Sequence, residues 1–389
     1  MDDKITQLDA VRRKEKRKRL MKRLIGILLL VVLALVVLFN YENLAPENLI
    51  YFIKEQFVLG GKGEGFPVDF EGSHVEGAAL ISGNLALLTD SSFVMVNDTG
   101  KQVVKKQHSY LQPVMRSNGR RALIYDVGGK KLRVDSHVEN TYEKELNQTI
   151  VTGDIGPDGS VLYVTNSDTD QAEMTVLDKN KKEIFKWYSA EYKVLDACLS
   201  SDLHHAAVSL VSAQGGQIKS LVYVFDFSED KPVFTGEYPG TLFLSLRYKS
   251  SDTLLAIGNN KAVSIHPNSE KKTEYSYDSQ QLVAFYNDNT QGAALCFENT
   301  GATRNTRLVT LSANAVKEGE TTVEGEIRRL YQNEGSVYAL SSKGISRIGR
   351  DGTVTARTAL EQDDALWVLG RGDTAYVVAL NEIRAYPLK

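Results

Sequence analysis

The chain of 389 residues has little cysteine, proline or tryptophan. Two cysteines, Cys198 and Cys296, exclude a disulfide framework and a four-thiolate zinc site. Eight prolines exclude a proline-rich linker protein, whereas thirty glycines suit a fold with many tight turns. Gly-x-Ser-x-Gly elbows and phosphate-cradling glycine loops are absent, so two common signatures of hydrolases and nucleotide-binding enzymes are missing. No convincing amphipathic helix follows Phe66. The net charge of -3 conceals an uneven distribution: residues 1–23 carry ten Lys/Arg against four Asp/Glu, leaving an acidic remainder of 36 against 45.

One long apolar run is present. Leu24 to Phe39 (LIGILLLVVLALVVLF) holds sixteen residues without a polar side chain, a helix of roughly 24 Å at about 1.5 Å per residue. Leu20 and Met21 extend it, and Lys22 and Arg23 can snorkel towards lipid headgroups while Tyr41 takes the opposite interface. Lys22, Arg23, Leu24, Phe39 and Tyr41 therefore mark an expected membrane anchor over residues 24–40. A buried core helix and a cleaved signal peptide are the competing readings. The nine basic residues closely preceding Leu24 argue against the first, and the unsuitable Asn43-Leu44-Ala45-Pro46 stretch argues against the second. The basic excess places the N-terminus in the cytoplasm and the body outside, with anionic lipid as the partner of the tail. Nucleic acid is not expected, because the acidic body would repel it.

Residues 41–64 read as a connector with a short amphipathic helix, started by Pro46-Glu47 and ended by Gly60 and Gly61. From residue 65 onward, short apolar strands alternate with turn dipeptides such as Asn118-Gly119 and Gly128-Gly129. Units begin near Ala78, Leu111, Asn147, Tyr192, Thr241, Gln281, Glu326 and Asp364, a spacing of 33 to 49 residues. That period suits four-stranded propeller blades. The fold class expected is all-β: a propeller of about eight blades over 65–389, with seven as the fallback, behind one transmembrane helix. The last unit, 363–389, lacks an outer strand, and 65–71 has the alternation to supply it and close the ring.

Three stretches carry a family likeness: GEGFPVDFEG (Gly63–Gly72), QHSYLQP (Gln107–Pro113) and ALIYDVGGKKLRV (Ala122–Val134). The chain resembles a family of single-span, extracytoplasmic β-propeller proteins from Gram-positive, clostridia-type bacteria, within the quinoprotein-like and WD-like superfamilies. The resemblance implies a fold and a location and brings no reaction with it.

The residues themselves point to no catalytic set. Six histidines are scattered over different units, and adjacent His204 and His205 would face opposite sides of a strand, so no metal site is expected. Cys198 and Cys296 read as small buried hydrophobes. A quinone cofactor is not expected either, with only Trp187 and Trp367 and no vicinal cysteine pair. Asp168, Asp170 and Glu173 lack the glycine and distal glutamate of a calcium loop, and Arg371-Gly372-Asp373 reads as a hairpin turn. Long loops near Ser167, Val211 and Glu298 fall between second and third strands and would raise one rim. Tyr110 and Tyr192, in connections to the same rim, and Arg304 and Arg307 near the third loop are the candidate binding residues. The expected function is a non-catalytic binding or scaffold module with an envelope protein partner. The alternatives are a glycan- or peptidoglycan-active hydrolase or lyase using rim carboxylates, and the ligand-sensing ectodomain of a membrane complex.

Overall fold

A computed structural model describes residues 61–137, 140–269, 271–288, 291–298, 305–360 and 362–388. The expected anchor, with Lys22, Arg23, Leu24, Phe39 and Tyr41, and most of the connector lie outside the described residues, as does Arg304. Among the described residues no helix is long and apolar enough to cross a membrane.

Every regular element among the described residues is a strand, and the strands form eight four-stranded antiparallel sheets. Blades 1 to 7 occupy 75–107, 113–145, 150–189, 193–239, 243–276, 282–323 and 327–358, each a simple meander from inner to outer strand. Blade 8 takes three strands from 367–387 and its outer strand from Val68–Asp69. The protein is an eight-bladed β-propeller.

The burial pattern explains why these sequences make blades. Second and third strands such as Asn84–Thr89, Val161–Thr165 and Leu254–Gly258 are buried along their whole length, because each sheet is covered on both faces by its neighbours. They therefore read as continuous apolar runs. Outer strands are wetted, and Lys271–Ser276 is almost wholly exposed. The core lies between blades: Phe243, Leu254, Val222 and Val224 join blades 4 and 5, and Leu255, Tyr277, Leu295 and Phe297 join blades 5 and 6.

Closure is carried by both ends of the described chain. Val68 pairs with Ile383 and Asp69 with Glu382, and the Phe70 amide donates to the Asn381 carbonyl at 2.9 Å. The Trp367 indole donates to the Val75 carbonyl at 3.0 Å, tying blade 8 to blade 1. Residues 61–65 rest on the 97–101 turn of blade 1, where the Gly63 amide donates to Thr99 Oγ1 at 2.9 Å and the Gly65 amide to the Thr99 carbonyl at 3.1 Å.

A meander gives the ring two distinct faces. Links between blades and turns between second and third strands lie on one, called upper here. Turns between first and second and between third and fourth strands lie on the lower. Each inner strand therefore starts at the upper face and runs down the central channel.

Candidate site: the channel and its upper mouth

The inner strands share an irregularity. In six of the eight blades the pairing register slips at the second residue, or in blade 4 the third, leaving Glu76, Val151, Leu195, Leu244, Val283 and Arg328 unpaired. Blades 2 and 8 keep their register. A bulge leaves one residue out of the ladder and turns its side chain away from the sheet. Here it sits one or two residues below the upper face, so the turned side chains ring the mouth of the channel. Leu195, Leu244 and Val283, on successive blades, are 39%, 46% and 46% exposed, although the residues flanking Leu244 in its strand are buried.

The other side of the mouth is charged and aromatic. Arg328 pairs with Asp363 at 2.6 Å, and the Arg329 guanidinium lies 4.8 Å above the Trp367 ring. Glu76 is exposed beside them. Leu111, Ile218 and Leu380 are further exposed apolar residues on the upper face. The mouth thus has an aliphatic arc on blades 4 to 6 and a charged arc on blades 7, 8 and 1.

Below the mouth, a closed ring of four charges crosses the channel from blades 2, 4, 5 and 6. Asp196 Oδ2 accepts from Arg247 Nη1 at 2.7 Å, and Arg247 Nε donates to Asp288 Oδ1 at 2.9 Å. Arg116 completes the circuit, with Nη1 3.5 Å from Asp288 and Nη2 3.4 Å from Asp196. Asp196 also accepts from the Leu246 amide at 3.0 Å, an inner-edge N–H with no partner strand. Enclosure by the channel walls alone would raise the Asp288 carboxyl, although its side chain is still half-exposed, but the Arg247 and Arg116 charges overcome it and hold it at about 2. Asp154 is pushed upward by burial, only partly countered by Arg247 and by the Leu199 amide it accepts at 2.9 Å. Beside the ring, burial drives the Lys249 ammonium down to about 7, although it donates to the carbonyls of Asn287 at 2.7 Å and Gly292 at 2.9 Å.

A cavity of about 810 Å³ runs along the channel beside this ring. The inner strands of blades 1, 2 and 7 line it over much of their length, and Arg116, Arg247, Asp154 and Asp288 face it. Its size and mixed lining fall within the ordinary range of ligand pockets, about 300 to 1,000 Å³.

The residues singled out in the sequence sit elsewhere. Tyr110 is only 7% exposed and packs between blades 1 and 2 with Phe93 and Met95, 5.0 Å from the His108 ring, so it offers no contact area at the rim. Burial lifts its hydroxyl to about 12. Tyr192 is half-buried against the blade 3–4 core, and its carbonyl accepts from Ser189 Oγ at 2.6 Å. Arg307 clamps two blades: it donates to Glu320 at 2.6 and 3.0 Å, to Gln280 at 2.5 Å and to the Tyr275 hydroxyl at 3.4 Å. Its donors are occupied by the fold. The segment near Val211 is not a long loop; His205–Gln214 and Gln217–Asp226 pair down to a Gly215-Gly216 turn, a hairpin raised on the upper face.

Cys198 and Cys296 are free, buried thiols, and burial raises both. Asp168 accepts from Gln148 at 2.6 Å in its hairpin tip. Among the described residues no group of three His, Cys, Asp or Glu side chains could hold a metal ion. The signal missed in the sequence was charge inside otherwise apolar inner strands: Arg116 in PVMRS, Asp196 in KVLDACL and Arg247 in FLSLRY.

The fold is shared with known propellers. The Saccharomyces cerevisiae protein Sqt1 superposes with a TM-score of 0.55 at 10% identity, covering 82% of this chain and 98% of that one. BamB from Moraxella catarrhalis gives 0.53 at 11% identity over 83% and 98%. The β-propeller domain of Myceliophteria thermophila Cps50 (Swd1) gives 0.52 at 9% over 70% and 94%. At such identities the likeness concerns the fold alone. Comparison with curated proteins finds no match. Residues 68–385, nearly the whole propeller, match a protein family directly, and the chain belongs to that family, the family of unknown function DUF5711.

Proposed function

We propose that this protein is a non-catalytic binding module, tethered by residues 24–40 to the outer side of a bacterial cell membrane, which engages a protein partner of the envelope through the upper mouth of its channel. The observation that carries the reading is the bulge repeated in six inner strands. It turns aliphatic side chains outward on three successive blades, at the cost of a ladder bond in each. Hydrogen-bonded blades hold that arc rigid, so binding requires little ordering of the propeller. The apolar run and basic tail support the tether, with anionic headgroups as the partner of residues 1–23. The clostridial relationship rests on the sequence resemblance alone.

The test is a photo-crosslinking residue placed in cells at Leu244, with Val316 on the lower face as control. Capture of one defined envelope protein from Leu244 and not from Val316 is expected. Equal capture from both positions, or none from either, would sink the reading.

One observation favours a glycan- or peptidoglycan-active enzyme as a second reading: Asp154 and Asp288 line one cavity with their acidities pushed in opposite directions. It is the weaker reading, because Asp288 is already bound to the Arg247 guanidinium at 2.9 Å and glycosidic cleavage needs two available carboxyls. Turnover of peptidoglycan fragments that disappears in Asp154→Asn would reverse that ranking.

A further inference from the structure

We propose that the channel cavity contains a site for a small monocarboxylate with an apolar body, seated on Arg116. The cavity opens at the mouth, whose Glu76, Val283 and Arg328 also line it, but Arg116 belongs to the charged ring below, where the hydrogen-bonding is uneven. Arg247 is well satisfied, with bonds at 2.7 Å to Asp196, 2.9 Å to Asp288 and 2.6 Å to the Leu246 carbonyl. Arg116 is not. Its contacts with the same carboxylates, 3.4 and 3.5 Å, exceed the roughly 2.7–2.9 Å of a good charge-assisted bond. Its Nε–H is shut from solvent and meets no acceptor among the described residues.

A guanidinium has five N–H donors in a planar fork, and here the nearby carboxylates are already committed to Arg247. Asp196 is further engaged by the Leu246 amide and by the Thr152 hydroxyl at 3.4 Å. The capacity Arg116 offers the cavity therefore lies at Nη1 and Nη2, whose long contacts can give way to a ligand, and a carboxylate fits that pair in two-point fashion.

The remaining lining restricts the ligand's charge and body. Glu76, Asp154 and Asp288 face the same space, which disfavours a dianion such as phosphate and suits a single negative charge. Val114 and Met115 beside Arg116, with Leu330, Tyr331 and Tyr286 elsewhere on the wall, supply apolar and aromatic surface.

The test uses the full chain in non-ionic detergent carrying Trp187→Phe, so that Trp367 on the cavity wall is the only tryptophan. The probes are 3-phenylpropionate, hexanoate, 3-phenylpropionamide and inorganic phosphate. Both carboxylates should shift the Trp367 emission saturably and raise the melting temperature, while the amide and phosphate do neither. Arg116→Gln should weaken carboxylate binding at least about tenfold, as expected when a charged two-point contact is lost. Should that variant melt before the assay temperature, Arg116→Lys carries the comparison: it keeps the charge and loses the fork, and should still bind several-fold more weakly. No saturable response to either carboxylate, an equal response to the amide or to phosphate, or unchanged affinity in Arg116→Lys overturns the proposal.

Discussion

Asp196→Ala should be far more damaging than Asp288→Ala, although both remove a carboxylate from the same ring. Asp196 and Arg247 have side chains only 5% and 10% exposed, so the bond between them is hardly screened by water. Its loss leaves the Arg247 charge dependent on Asp288 and deprives the buried Leu246 amide of its acceptor. Breaking a buried ion pair by removing one partner costs about 3–5 kcal/mol, a range that includes much of the orphaned-donor penalty. Asp288 is 52% exposed, and for so wetted a carboxylate the expected loss is about 1 kcal/mol. The assay is urea unfolding of the full chain in non-ionic detergent, followed by tryptophan emission, for the two single variants, Arg247→Ala and the double variant Asp196→Ala/Arg247→Ala. The double variant should lose clearly less than the sum of its singles, because neither charge is then left alone. Equal losses for Asp196→Ala and Asp288→Ala, or an additive double variant, would refute the ring as a coupled unit.

Three further outcomes follow from single side chains. Lys249 titrates near 7 in the folded protein against about 10.5 when unfolded, so between these values the unfolded chain binds more protons and stability rises with pH. The rise should approach 1.4 kcal/mol per pH unit from about pH 7.5 to 9.5, and Lys249→Met should flatten it in unfolding curves taken across that window. Gly370→Ala would drive a methyl group into the buried Tyr338 ring and should cost about 2–3 kcal/mol or abolish folding; Gly77→Ala, whose methyl would meet Met115 at ordinary contact distance, should melt within a few degrees of the parent. Cys198 and Cys296, buried with their thiols raised, should resist a thiol reagent in the native protein and react only on unfolding.

The blades were legible because their signals are local. Asn118-Gly119 does make the tight turn its sequence announces, with Gly119 at a φ of +80°, and doubly covered strands such as VLYVT carry no polar interruption until their last residue. The hairpin at Gly215-Gly216 was misread as a loop because Ser212, Gln217 and Lys219 are polar; its strands extend beyond the core, where no apolar run marks them. Tyr110 was placed at the rim because a connection residue is ordinarily wet, but this connection turns its ring inward between two blades.

The site was legible only in fragments, for two physical reasons. A bulge is a property of pairing, and Leu244 in FLSLRY looks like any other strand leucine until its partner strand is known. The charged ring assembles residues up to 172 positions apart, Arg116 with Asp288, and no spacing rule connects them. Charges within otherwise apolar strands were the available clue, since a buried charge needs a partner.

The most direct test of the mouth as a binding surface replaces Leu195, Leu244 and Val283 together by Asp and compares this variant with a lower-face control, Val233→Asp/Val316→Asp. Both are expressed at matched levels in cells, and the partner crosslinked to each is quantified by mass spectrometry, with melting temperature reporting the integrity of the fold. Partner recovery should fall more than tenfold in the folded mouth variant and stay near the parent value in the control. Full recovery with the mouth variant, or loss confined to the control, would contradict the account.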